Sequence, residues 1–188
     1  MKYGTFYSVI AAAMLTFSPA AMAADGNFVA VVNIQQVMRD STAAQNVREQ
    51  LESKQKSFQS EISKKEEELQ KEDKELGKKR SVLSKSAFEE KAGAFRKKAT
   101  EVQKEVQSKK ALLDNAFEHA LADIQKVVTE IIVDLAKEKG FSMAIPTSQI
   151  LYADPKLDIS SEVLTRLNQK LPKLDVKFDA SADKSKKK

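Results

Sequence analysis

Between Pro19 and Pro146 the chain contains no proline, and after Gly26 its glycines are confined to Gly77, Gly93 and Gly140. Interior proline removes a backbone donor and clashes with the preceding helical turn, and interior glycine costs about 1 kcal/mol relative to alanine. More than a hundred residues with so few breakers can hardly form anything but long helix. The residue mix agrees: charged residues make up 31% and aromatics only 6%, with no Trp, as in coiled coils rather than globules.

Both ends of this stretch carry helix signals. Thr42 and Gln45 fit a capping box, in which each side chain satisfies an otherwise orphan N–H. Lys137-Glu138-Lys139 lead into Gly140, the usual residue for a left-handed C-cap. The span is too long for one globular helix, so it folds back on itself. Ser84-Lys85-Ser86 is the polar, turn-compatible cluster near its middle, and Ser86 with Glu89 makes a second capping box.

The apolar spacing fits a reversal there. With a turn between Lys85 and Ser86, Leu83 faces Phe88, Leu76 faces Phe95, Leu69 faces Val102, Phe58 faces Leu113 and Val47 faces Ile124. Ile62 then meets Lys109, whose aliphatic stem can cover it. The seam is thin: Ile62, Leu69, Leu76 and Leu83 share one heptad position, but the complementary positions hold Lys65, Glu72 and Lys79. Such an arm, roughly 60 Å long at about 1.5 Å per residue, is pliable.

The flanking pieces are short and apolar. Phe28–Ile34 (FVAVVNI) reads as a strand with apolar residues on both faces, which asks for partners on both sides. Phe141–Ile145 and Gln149–Ala153 (QILYA) read as two more strands across Pro146-Thr147-Ser148. Asp158 caps a last helix to about Lys170, and the end of the chain, SADKSKKK, reads as disordered.

The expected fold is mainly α with a small β body: a long antiparallel helical hairpin, a coiled-coil arm, projecting from a short-stranded oligomerisation body. Residues 24–41 and 125–171 form the body, 42–124 the arm with its tip near 84–86, and 172–188 a disordered basic tail. Three short strands, a short helix and a helix end are a small core to carry so long an arm, and self-association is the simplest remedy. Its residues are then Phe28, Val29, Val31, Val32, Ile34, Phe141, Ile145, Ile150 and Tyr152.

The N-terminus reads as a signal peptide, with Lys2, an uncharged apolar run from Phe6 to Phe17, Pro19, and Ala21-Met22-Ala23 before cleavage after Ala23. The run is shorter than the ~20 residues that span a bilayer. An exported chain without cysteine takes its stability from packing or association, and thiol chemistry is excluded. No catalytic constellation is visible, so no enzyme activity, cofactor or metal is expected. His119 is the sole histidine, no glycine-rich loop follows a strand, and the consecutive Glu66, Glu67 and Glu68 point to different sides of a helix.

The tip is the electrostatic anomaly. Lys78, Lys79, Arg80, Lys85, Lys91, Arg96, Lys97 and Lys98 stand against Glu89 and Glu90, interleaved with apolar Val82, Leu83, Phe88 and Phe95. A basic tip of this kind is either a solvated charge run or a site for acidic protein, lipopolysaccharide or anionic lipid. Nucleic acid is not expected of an exported chain.

The sequence resembles the Skp (OmpH) family of periplasmic chaperones up to about Leu171. The resemblance rests on the opening strand with Asn33-Ile34-Gln35 and Val37-Met38, the charged hairpin, the three-residue turn between closing strands, and Asp158-Ile159-Ser160 with Val163-Leu164 and Leu167. It implies a homotrimer whose arms enclose a cavity and whose members, without ATP, hold unfolded outer-membrane proteins in the periplasm and prevent their aggregation before membrane insertion. The lysine-rich extension after Leu171 lies outside the family core. Two other functions stay open: an envelope coiled-coil adaptor or spacer, and an exported basic protein that binds lipopolysaccharide or another polyanion.

Overall fold

The computed structural model describes residues 29–179. The proposed signal peptide, Phe28 and residues 180–188 lie outside them. In chain order the elements are β1 (Val29–Val32), α1 (Ile34–Asp40), α2 (Thr42–Lys79), α3 (Lys85–Lys139), β2 (Met143–Pro146) and α4 (Ser160–Lys170), with single 3-10 turns at Thr147–Gln149 and Pro155–Leu157.

β1 and β2 pair in parallel, Val29 beside Met143 and Val32 beside Pro146. Parallel neighbours need a crossover, usually one helix lying on the sheet. Here the crossover is the whole α1–α2–α3 segment, and its middle is drawn out into the arm. The fold is thus mainly helical with a small two-stranded sheet.

The opening strand ends at Val32, two residues short of the Ile34 expected from sequence. Asn33 accepts a hydrogen bond from the Gln36 N–H at 3.0 Å and caps α1, an element the sequence reading left out. Ser41 then divides α1 from α2. Its extended backbone breaks the helix, its N–H donates to the Val37 carbonyl at 3.1 Å, and its Oγ accepts from the Ala44 N–H at 3.2 Å. One buried serine therefore closes one helix and opens the next. The cap lies one residue before the expected Thr42, because Thr42 is occupied with Asn168 of α4, which accepts from both its N–H and its hydroxyl.

At the far end α2 stops at Lys79, and α3 opens at Lys85 with Ser84 as its cap, accepting from the Ala87 N–H at 3.3 Å. The reversal thus occupies residues 80–84, just ahead of 84–86, and Ser84 rather than Ser86 does the capping. Gly140 takes φ 77° at the end of α3, and its N–H donates to the Ala136 carbonyl at 2.9 Å. At about 1.5 Å per residue, α2 is roughly 57 Å long and α3 roughly 82 Å.

Three expectations for the body are corrected. Residues 149–153 form no strand. After the 3-10 turn, Leu151 is fully exposed and Tyr152 is 85% exposed, and the segment forms no ladder with the open edge of β2. The third position beside β1 is instead a single bridge, in which the Ile159 N–H donates to the Val31 carbonyl at 2.9 Å.

The two apolar faces of β1 are already covered by its own chain. Val31 is 4% exposed, and Ala30 and Val32 join one core with Val37, Val47, Ile124, Val128, Leu135, Val163 and Leu167. That core reaches past the expected boundaries into the arm root, through Ala43, Ala44 and Val47 on α2 and Ala120 and Ile124 on α3.

Residues 172–179, the start of the supposed disordered tail, have a defined path. Leu171, Leu174 and Val176 pack against the core, and Gln50 of α2 bonds the backbone at Leu174 and Val176. Ion pairs clasp α4 to the end of α3: Arg166 to Glu138, Lys139 to Glu162 at 2.7 Å and Lys170 to Glu130 at 3.0 Å.

Candidate functional site: the arm, its tip and the open sheet edge

Beyond the root and buried Ala116, the two arm helices meet along a seam that closes at Ile62 alone among the described residues, while Phe58, Leu69, Leu76, Leu83, Phe88, Phe95, Val102 and Leu113 remain half-buried. Charges complete the seam where the heptad lacks apolar residues. Lys65 pairs with Glu105, Glu61 with Lys109, and Glu72 with Lys98 at 2.8 Å. The residue numbers of these three pairs sum to 170, one less than the register read from sequence.

Lys109 is the best-enclosed of these cations, its side chain 16% exposed. Its ammonium lies 4.2 Å from the centre of the Phe58 ring and also meets Glu105 at 3.5 Å. An open cleft of about 350 Å³ lies here between Phe58, Ile62, Val106 and Leu113, wide enough for a small apolar group.

The carboxyls of Glu61 and Glu105 are held below the ordinary carboxylate range, chiefly by hydrogen bonds from Lys109 and Lys65 respectively. Because each folded value lies below its unfolded one, the stabilisation is complete above the ordinary carboxylate value and is lost as pH falls through the depressed ones. Acidification from about pH 6 to below about pH 4 is therefore expected to lower the melting of the arm. The double variant Glu61→Gln, Glu105→Gln should melt slightly lower at the higher pH and show a flatter pH dependence. The pairs are half-exposed, so the effect is small, and circular dichroism at several pH values measures it.

The eight basic residues expected at the tip are all exposed, on the last turn of α2, at Arg80 where the reversal begins, and on the first turns of α3. They are not equivalent. Lys98 is paired with Glu72, which raises its pKa through the hydrogen bond, and Lys79 reaches Glu75 at 3.6 Å. Arg80 lies 6.0 Å from the centre of the Phe88 ring. No carboxylate among the described residues pairs with Lys78, Lys85, Lys91, Arg96 or Lys97. Of the four apolar tip residues, Val82 is 78% exposed at the turn itself, while Leu83, Phe88 and Phe95 are half-buried in the hairpin.

The residues expected to hold protomers together divide in two. Val31, Val32 and Phe141 are buried inside the chain, and Val29 and Ile34 are half-buried there, so they support the body from within. Ile145 and Ile150 are half-buried and Tyr152 is exposed. Met143 on β2 is 55% exposed and Leu151 fully exposed, and among the described residues no strand pairs with the outer edge of β2. The sequence reading missed Met143 and Leu151, although both lie within its own strand assignments. The signal was apolar side chains that alternation could not seat.

Among the described residues no cluster of His, Asp and Glu could hold a metal ion, and no helix is long and apolar enough to cross a membrane.

Comparison with known proteins gives this arrangement a context. The profile of the family described as "Outer membrane protein (OmpH-like)" matches residues 29–167, three quarters of the chain. A crystal structure from Caulobacter crescentus CB15, provisionally described as an outer membrane chaperone (OmpH-like), superposes with a TM-score of 0.73. The match covers 78% of this chain and 87% of that one at 19% identity, a likeness of fold. No curated protein matches in sequence. Hairpin arm, small parallel sheet and family profile agree, and the chain belongs to the OmpH-like family of outer membrane proteins.

Proposed function

We propose that the chain is an ATP-independent holdase of the periplasm, which binds unfolded outer-membrane proteins as a homo-oligomer and keeps them from aggregating. The observation that carries this reading is the seam of the arm. Two long helices are held together by half-buried apolar residues and cross-arm ion pairs, with Ile62 alone among the described residues closed off tipward of Ala116. Holding an unfolded chain without ATP calls for contacts that are weak singly, numerous and reversible. A pliable arm with half-open apolar positions along its length provides them. The family membership and the chaperone description of the Caulobacter neighbour point the same way.

Exposed Met143, Leu151 and Tyr152 and the open β2 edge supply the surface for association, and the family resemblance implies three protomers. The signal-peptide reading and the family membership support a periplasmic location, and nothing in this reading requires a cofactor or a catalytic step.

The unpaired cations at the tip are assigned to capture. Excess positive charge raises the encounter rate with acidic partners more than it strengthens the final complex. Converting Lys78, Lys85, Lys91, Arg96 and Lys97 to Gln is expected to slow association with an unfolded acidic barrel protein by about tenfold at low salt. The salt dependence should flatten, and melting should stay unchanged. Stopped-flow capture of a labelled, urea-unfolded barrel protein measures this, and an unchanged rate returns the cluster to a solvated face.

Val82 standing exposed among those cations favours a second reading, an anionic lipid or lipopolysaccharide surface at the tip. Salt-sensitive binding to anionic vesicles, with indifference to unfolded protein, would select it.

A further inference from the structure

Residues 172–179 lie outside the span matched by the family, yet they have a built seat. From Leu174 to Asp179, half-buried Leu174, Val176 and Phe178 alternate with exposed Asp175, Lys177 and Asp179, the period of an extended strand. The seat is the groove at the arm root between α2 and α3. On the α3 side, Ala116 and Ala120 provide a floor of small side chains beside Leu174 and Val176. On the α2 side, the Lys54 ammonium lies 4.9 Å from the Phe58 ring centre and 5.6 Å from that of Phe178, which ties the end of the strap to the arm.

The central contact reads backbone. The Gln50 amide donates through Nε2 to the Leu174 carbonyl at 2.8 Å and accepts through Oε1 from the Val176 N–H at 3.0 Å. Nε2 also donates to Asn46 Oδ1 at 2.7 Å, which fixes the orientation of the amide. One side chain thus takes the place of a neighbouring strand, bonding the C=O and N–H that any extended peptide offers two residues apart. Such recognition ignores sequence and asks only for apolar groups at alternate positions.

We infer that this groove is a binding site for extended peptide segments with alternating apolar and polar side chains, and that residues 172–179 fill it as a built-in competitor. The partner class rests on the holdase reading: strands of outer-membrane barrels alternate in this way, apolar to lipid and polar to the lumen, so an unfolded barrel protein carries many such segments. The strap, tethered to α4, competes at high local concentration, and a client gains the groove only by displacing it. The cleft of about 280 Å³ left between strap and α3 shows that the groove is wider than its present occupant.

The probe is a fluorescein-labelled peptide with the sequence of residues 172–179, set against one of the same composition with its apolar residues adjacent. In the full chain carrying Leu174→Ser, Val176→Ser and Phe178→Ser, the alternating peptide is expected to bind about tenfold or more tightly than to wild type, because the competitor is released. Adding Gln50→Leu to that variant should remove about tenfold by deleting two hydrogen bonds, and the rearranged peptide should bind weakly throughout. Wild-type protein gives a test without mutation, since excess alternating peptide should speed hydrogen exchange at the Val176 amide. Equal affinity of wild type and strap variant, no effect of Gln50→Leu, or an unmoved Val176 amide would each overturn the inference. None of these measurements contains an unfolded client, so a failed holdase reading shows separately, as aggregation unchecked by the wild-type chain.

Discussion

Replacing Leu151 and Tyr152 together by aspartate is expected to take the proposed homo-oligomer apart while each protomer stays folded. Both side chains stand in solvent in the isolated chain, as does much of Met143 on β2. Neither belongs to the core, so the substitution removes nothing that holds the protomer together. Burying one such side chain at an interface contributes about 1.5–3 kcal/mol, so the pair corresponds to a hundredfold or more in association. Two charges brought to a closing interface add a desolvation cost. Sedimentation at micromolar concentration should show the mass fall to that of one protomer, with the helical signal unchanged. A variant that keeps the wild-type mass moves the interface elsewhere, and a wild-type chain that sediments as a monomer removes it.

Leu135→Ala is expected to be the most damaging conservative change within the protomer. Leu135 is fully enclosed near the end of α3, in one core with residues from β1, α1, α2 and α4. Truncating an enclosed leucine costs about 2–5 kcal/mol through lost transfer energy and the cavity left behind. For a chain of this size that is a fall of about 10 °C in melting temperature. Ile62→Ala, at the closed point of the arm seam, should cost much less, because the half-open seam around it can collapse or admit water. Thermal melts of the two variants compare body and arm directly, and equal losses would mean that the seam is as tightly packed as the body.

Features that depend on local chemistry were legible in the sequence. The absence of proline, the serine cluster near the middle and Gly140 at the far end determine two long helices and a reversal, and the structure has them over α2, residues 80–84 and α3. The last helix begins at Ser160, one residue later than a cap at Asp158 would start it. The cap position falls on Ile159, and the Asp158 carboxylate accepts the Ser160 N–H at 2.8 Å from just outside the helix.

The misreadings fall where local pattern and distant partners disagree. Asn33 followed by Ile34 looked like the end of a strand, but Asn33 can cap a helix, and the Ser160 hydroxyl, 127 residues away, accepts its own N–H at 2.7 Å. QILYA has strand composition but pairs with neither strand of the chain, and its Leu151 and Tyr152 stay in solvent. The seat of residues 172–179 depends on Gln50, over a hundred residues earlier, and the alternation of Leu174, Val176 and Phe178 was hidden by the lysines that follow. The tip residues could be named from sequence. Which of them keep an unpaired charge could not, since that depends on Glu72 and Glu75 lying within reach of Lys98 and Lys79.

Light scattering decides whether this chain holds unfolded outer-membrane protein in solution, as proposed. A urea-denatured barrel protein is diluted into buffer without nucleotide, alone and with a growing excess of the mature chain, and scattering is followed with time. With a holdase, scattering falls in proportion to added chain, reaches baseline near a fixed ratio of chain to client, and does so without ATP. Scattering that rises as fast with the chain as without it, at every ratio, would contradict the proposal.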